Sequence, residues 1–374
     1  MEANIARLRQ QVEAFLSVPQ AARTREAREA ILRALGVPHP ARFMEEVWTS
    51  QWEAGVDRLL DPANTRIRPL EPTDFHFKWA LEAFNALPTQ VRARLFALKV
   101  EANGLGGPIR SLVEAAGLSA DDFEVADLVA LDKVHAEAAV TVRVQGGQTC
   151  RFEVSHFAPS VEALFASVAS LFQLPTATTF IHRLPAGGQV LLQVPLQGIR
   201  LDEDDLPPGD AERLWPLAVR GVARHDALGD VLGTILRDPH HVLTPSGEVA
   251  SIHNYELFHE IGGFRFGFVE PIFLSLWRRL RGADPDQGRT LFLAMVEGYR
   301  RAYVAQRDGI RERWAEVEEV LRRHQETIRE YLSGQQEWQE AVVAARARAF
   351  RDPAGWVQTL VEACRESHPD LPLA

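Results

Sequence analysis

The chain is expected to be an α+β protein in three parts: a helical N-terminal region over 1–120, a small β-rich lobe over 121–200 and a helical large lobe over 201–374. Three observations carry that expectation. Up to Asn103, apolar residues recur at three- and four-residue steps, the period of an amphipathic helix. Between Val125 and Leu196 the pattern changes to short alternating or fully apolar runs punctuated by glycine turns. From Ala211 onward helical periodicity returns, interrupted by two brief apolar runs at Val242-Leu243 and Val249 to Ile252.

In the first part, Ile5, Leu8, Val12 and Phe15 form one helical face, and Ile31, Leu32 and Leu35 a second that ends at Gly36 before Pro38 and Pro40. Trp48, Trp52, Val56, Leu59 and Leu60 repeat the pattern until Asp61-Pro62 breaks it. Periodicity resumes at Asp74, is interrupted at Pro88, and runs through Val91, Leu95, Leu98 and Val100 to Asn103-Gly104. Trp48, Trp52, Phe75, Phe77 and Trp79 could be imagined as a ligand-stacking box, but their spacing suits buried helix faces better.

In the second part, Val125 to Leu131 is a short apolar run. Val140 to Val144 and Cys150 to Val154 alternate on either side of Gln145-Gly146-Gly147, the composition of a hairpin turn. Ser160 is expected to cap a helix carrying Leu164, Val168, Leu171 and Phe172, packed behind that hairpin. Gln189 to Leu196 suits an interior strand that stops at Pro195. In the third part, Gly288 to Val304 reads as one helix. Ile310, Trp314, Val317, Leu321, Ile328 and Leu332 mark another, whose apolar seam is expected to pack within its own lobe rather than against a partner helix.

Composition narrows the function classes. With 46% hydrophobic and 25% charged residues, the 374-residue chain is ordinary for a globular protein. A net charge of −10 argues against nucleic acid as a partner, whose affinity rests on neutralised phosphates. No apolar run approaches the roughly 20 residues that span a bilayer, and the N-terminus has no apolar signal core. Cys150 and Cys364 alone cannot build a disulfide framework or a cysteine zinc site. A cytoplasmic protein without membrane insertion is expected.

Strand, loop, strand, turn, strand, helix, strand is the order of a protein-kinase-like small lobe, and a helical lobe follows it here. Three stretches sharpen this: Asp132-Lys-Val-His135, Gly147 to Ser155, and Ile252 to Phe258. Together they resemble the kinase-like dehydratase domain of type II lanthionine synthetases, a family distantly similar to phosphoinositide kinases. The first looks like that family's Asp-x-x-His before a Gly-Arg-x-Val strand, with Ala138 and Ala139 replacing Gly and Arg; the last looks like its Ile-Asp-x-Glu-x-Leu-Phe. The resemblance covers roughly residues 120 to 310. It implies a two-lobe kinase-like fold and an ancestry in lanthipeptide biosynthesis, where the fold phosphorylates Ser and Thr of a precursor peptide and then eliminates the phosphate. Such enzymes usually carry a C-terminal zinc-dependent cyclase domain, which these residues do not contain.

Phosphoryl transfer needs a lysine on the phosphates, a carboxylate near the attacking hydroxyl, and oxygen ligands for magnesium. By the resemblance the lysine position falls on Glu153, a charge reversal, or on Arg151 after a two-residue slip; these are the candidate cofactor-binding residues. The loop from Asp132 to Glu137 has no glycine to bring backbone N–H groups against phosphates. The family's Asp-x-x-x-x-Asn falls on Leu236 and His241, leaving Asp238 and His241 as candidate catalytic residues. The metal-binding aspartate falls on His253, a poor magnesium ligand, with Asn254 and Glu256 as the nearby oxygen donors. A different placement of the loop would use Asp226 or Asp230, although neither has an Asn five residues on.

These substitutions together favour a degenerate pseudokinase that binds a peptide or protein partner in its cleft and holds no cofactor. One alternative is an active phosphotransferase or dehydratase using ATP and magnesium in an atypical site. Another is a transition-metal site, zinc or manganese, on His241 and His253 with help from Asp238 or Glu256.

Overall fold

The alternating run after Ala136 folds as its side chains dictate. In a computed structural model, β1 (Phe123–Ala130), β2 (Ala138–Val144) and β3 (Thr149–Ser155) form an antiparallel meander. Val140 lies opposite Phe152 and Val142 opposite Cys150. Gly146 and Gly147, with φ of 91° and 81°, turn the chain between β2 and β3 in a conformation that side chains with a Cβ rarely adopt. The described residues are 2–46, 48, 53–54, 57–58, 60–61, 77–131, 136–156, 159–201, 211–233, 240–252, 257–258, 270–280, 285–332 and 338–373. They make an α+β protein, mostly helical, with two small antiparallel sheets.

Contacts divide the chain into two compact units, Met1–Pro159 with Thr178–Pro195, and Ser160–Ala177 with Leu196–Ala374. In the first, β4 (Thr179–Arg183) and β5 (Gln189–Gln193) complete a sheet of order β1-β2-β3-β5-β4. The interior strand β5 was legible as an apolar run ending before Pro195. The edge strand β4 was not, because Thr-Phe-Ile-His-Arg has no clean alternation. Its helices include α1 (Glu2–Leu16), α2 (Arg25–Leu35), α3 (Pro40–Glu46), α4 (Phe77–Asn85), α5 (Thr89–Asn103) and α6 (Gly106–Ala115). Thr24 caps α2, its hydroxyl accepting Ala27 N–H at 3.2 Å, and Gly36 and Gly104 end α2 and α5 in the left-handed region. Helix α6 starts on Gly106-Gly107, after the stop at Asn103-Gly104 and within the helical region expected over 1–120.

The N-terminal helices and the sheet share one core. Leu8, Val12, Ile31, Leu35, Phe96 and Ile109 are buried with Val140, Val142, Phe152 and Leu192, and the rings of Phe96 and Phe152 lie 6.5 Å apart. Arg92 ties α4 and α5 to β1. Its guanidinium donates to Leu128 O at 2.6 Å, Asn85 O at 2.7 Å, Leu87 O, and Asp127 Oδ1 at 2.9 Å. Of the imagined aromatic box, Trp48 is half-buried with Nε1 donating to Glu53 Oε2 at 3.1 Å, while Trp52 and Phe75 lie outside the described residues.

The second unit contains α7 (Pro159–Leu171, apart from its first residue), β6 (Ile199–Arg200), α8 (Ala211–Leu232), β7 (His240–Leu243) and β8 (Val249–Ile252). Then follow α9 (Glu270–Leu280), α10 (Pro285–Glu312), α11 (Trp314–Arg323), α12 (Gln325–Tyr331), α13 (Trp338–Ala349) and α14 (Pro353–Ser367). Helix α7 begins at Pro159, so Ser160 is its second residue and not its cap. Its contacts group it with this unit. There Arg313 Nη1 donates to Leu171 O and Arg224 Nη2 donates to Phe172 O at 2.9 Å, satisfying carbonyls at the helix end. The apolar seam from Ile310 to Leu332 is buried across α10, α11 and α12 as expected.

Helix α8 is the axis of this unit's core. Ala218, Val219, Val222, Ala223 and Ala227 pack with Phe273 of α9, Phe292 and Val296 of α10, and Val357 and Val361 of α14. Strands β6, β7 and β8 form a three-stranded antiparallel sheet, and β8 also pairs at Ser251 with Thr176. Gly221 sets how close α8 comes to β8: a Cβ there would sit 2.3 Å from Val249 Cγ2. Among the described residues no helix is long and apolar enough to cross a membrane.

Candidate functional site

On the sheet of the first unit, the face opposite Phe152 and Val140 carries Arg151 and Glu153. Arg151 pairs with Thr141 and is exposed. Glu153 stands in a row with Ala139 on one side and Gln193 on the other, and is half-buried. The connection between β1 and β2 ends in Glu137, only 2% exposed, whose carboxylate lies 3.2 Å from His156 Nδ1. Lys99 is also buried there, its Nζ donating to Asp61 O at 2.6 Å. Burial pushes the Lys99 ammonium down to about 8, against the opposing pull of Asp61 and Glu137. No sequence pattern marked Glu137, His156 and Lys99, because they come from a loop, a strand end and a helix.

In the second unit, α8 and α10 carry polar groups on faces that are otherwise apolar. Tyr299 Oη donates to Asp226 Oδ2 at 2.6 Å and Tyr303 Oη donates to Asp230 Oδ2 at 2.9 Å. Arg307 Nη1 donates to Asp230 and to Tyr303 Oη, and Arg307 Nη2 donates to the carbonyl of Arg348. Arg348 in turn donates through Nε to Val231 O at 2.9 Å. All these side chains except Arg348 are buried. The signal was present as repeats at helical spacing, Asp226 with Asp230 and Tyr299 with Tyr303 and Arg307. The locally basic stretch Arg346 to Arg351 thus turns one arginine inward as a structural tie.

Burial raises Asp226 well above the ordinary carboxylate range, the Tyr299 hydroxyl opposing that rise and the charge of Asp230 adding to it. Tyr299 and Tyr303 are held well above the usual phenol range, first by burial and then by the neighbouring carboxylates. His225 Nε2 donates to Val249 O at 2.9 Å, and burial pushes this imidazole down to about 4. The placement of the catalytic loop on Asp226 or Asp230 therefore finds two interior carboxyl groups engaged by tyrosines and an arginine.

His241, a candidate catalytic residue by sequence, is the second residue of β7 and is 2% exposed. Its ring lies 5.5 Å from that of His225. Asp238, His253, Asn254 and Glu256 lie outside the described residues. Among the described residues there is no group of three or more His, Cys, Asp or Glu that could hold a metal ion.

No protein-family model matches the chain, and no curated protein matches it. Among solved structures, the open conformation of CtTel1 superposes with a TM-score of 0.43 at 14% identity, over 91% of this chain and 15% of that chain. The complete CtTel1 dimer with C2 symmetry gives 0.40 at 11% identity, over 97% of this chain and 20% of that one. The FAT and kinase domain of CtTel1 gives 0.37 at 11% identity, over 97% and 36%. The chain thus spans between 15% and 36% of the length of these chains, and such superpositions are too loose to carry a functional argument.

Proposed function

We propose that this protein is a degenerate kinase-like protein, similar to the dehydratase domain of type II lanthionine synthetases, that binds a peptide or protein partner and does not transfer phosphate. The order β1-β2-β3, helix α7, β4-β5, then helix α8 and the β7–β8 hairpin supports the kinase-like reading. The observation that carries the non-catalytic part is Glu153. In the resemblance, this position on β3 belongs to the lysine that neutralises the phosphates, and here it holds a carboxylate between Ala139 and Gln193. Glu137, at the end of the β1–β2 connection, adds a second carboxylate in the region where that lineage would cradle phosphates. A triphosphate brought to Glu153 would meet like charge where the resemblance implies a lysine, a cost of several kcal/mol in a partly buried setting.

A second reading keeps phosphotransfer and assigns the phosphate-binding cation to Arg151, exposed on the same face two residues away. Its fork differs from a lysine point charge, but it can hold an oxyanion. Thermal unfolding with and without magnesium–ATP separates the two. A ligand at about 100 times its Kd stabilises the native state by about 2.7 kcal/mol. The expected result is no change in Tm at millimolar magnesium–ATP; a clear rise, absent with magnesium alone and lost in Arg151→Ala, would favour the active enzyme.

A further inference from the structure

Helix α8 and the turn between β7 and β8 enclose a pocket of about 360 Å³. Leu174, Leu217 and Val249 line its apolar part, and Arg220, Arg224 and Glu248 bring charge to it. We infer that this pocket docks a protein segment that places an apolar side chain beside an acidic one. The inference rests on the peptide- or protein-binding reading and names where, and through what chemistry, the partner is held.

The two arginines stand one helical turn apart, so their guanidinium groups serve the same side of α8. Arg224 is already oriented: Nε donates to Gln306 Oε1 at 3.2 Å and Nη2 to Phe172 O at 2.9 Å. Its Nη1 makes no hydrogen bond among the described residues. Arg220 uses Nε on Pro216 O at 2.9 Å, and its two terminal nitrogens make none among the described residues. Glu248 supplies one opposing carboxylate, which already accepts from Ser246 Oγ at 3.3 Å. The pocket is thus locally cationic in a chain whose net charge is −10.

Guanidinium groups with unused N–H donors recognise carboxylates by charge-assisted hydrogen bonds, and pre-orientation lowers the entropy lost on binding. Arg220 and Glu248 are both exposed, so the pocket is open at its rim. An open rim suits a chain that passes over it and inserts one side chain, whereas small ligands favour sites that bury most of their surface. The turn helps to shape the pocket: Gly247, at φ 84°, has no side chain, and a Cβ there would press to 3.3 Å from Leu217 Cδ1.

The test is selection of a random peptide library on the full chain, followed by affinity measurement of enriched peptides on wild type and Arg220→Glu by fluorescence anisotropy. Enriched peptides should combine Asp or Glu with a large apolar residue. Arg220 is exposed and, among the described residues, bonds only its own helix, so Arg220→Glu should melt like wild type while losing about tenfold or more in affinity. Exchanging the peptide's acid for lysine should have the same effect. Peptides that bind wild type and Arg220→Glu alike would overturn the pocket assignment while leaving the peptide-binding function standing. Enrichment of no peptide at all would overturn both.

Discussion

Tyr299 on α10 donates its hydroxyl to Asp226 on α8 at 2.6 Å, joining two helices at positions 73 residues apart in sequence. Both groups are fully enclosed, and burial keeps the Asp226 carboxyl protonated well above the pH at which an exposed aspartate ionises. Removing one partner of such a pair exposes the desolvation cost of the other. Tyr299→Phe should therefore destabilise the protein by about 1–3 kcal/mol, read as a lower midpoint in urea with an unchanged slope.

Asp226 also makes a prediction about pH. Its folded pKa lies above its unfolded value, so the folded state keeps a proton that the unfolded chain releases. Its contribution is present at low pH and is lost as pH rises from about 4 toward the folded pKa. Asp226→Asn should remove that decline. A stability profile as steep in Asp226→Asn as in wild type on the alkaline side would contradict the assignment.

His225 acts in the opposite sense. Its folded pKa is pushed from 6.5 down to about 4, so the buried neutral ring contributes stability above pH 6.5 that is lost as pH falls toward 4. Across that window the loss amounts to about 3 kcal/mol. His225→Gln, which keeps a donor for Val249 O, should flatten the acid side of the profile. Because the Asp226 and His225 slopes oppose each other, each single variant should uncover the other's in urea midpoints measured across the same pH range.

The buried pair of Arg307 and Asp230 should be costly to break from one side. Among the described residues, Arg307→Met leaves Asp230 with Tyr303 alone, and it is expected to cost about 3–5 kcal/mol. Adding Asp230→Asn to Arg307→Met should recover part of that loss. A double-mutant cycle with no coupling between the two positions would refute the pairing.

Gly221 and Val249 predict a steric coupling. A methyl group at Gly221 would lie 2.3 Å from Val249 Cγ2, so Gly221→Ala should cost about 1–3 kcal/mol or more. The same methyl would lie 2.4 Å from Val249 Cβ, so Val249→Gly, which removes that atom, makes room for it where Val249→Ala does not. The double variant should therefore be more stable than the sum of the two single losses, measured by chemical unfolding.

The sequence by itself determined what depends on neighbours along the chain. Alternation in Val140 to Val144 and Cys150 to Val154, with two glycines between, specified the β2–β3 hairpin, and Gly36 and Gly104 marked helix ends. The seam from Ile310 to Leu332 specified faces that had to be buried. Only the tertiary structure decided which faces meet: that β5 lies between β3 and β4, that α7 groups with the second unit, and that Arg348 turns inward. It alone paired Asp226 with Tyr299 and Asp230 with Arg307, set His241 against His225, and gathered Glu137, His156 and Lys99 into one buried region. Turn chemistry and periodicity are local, encoded within a few residues. A buried polar contact depends on two distant segments arriving in one register, and its energy comes from water excluded by everything packed around it.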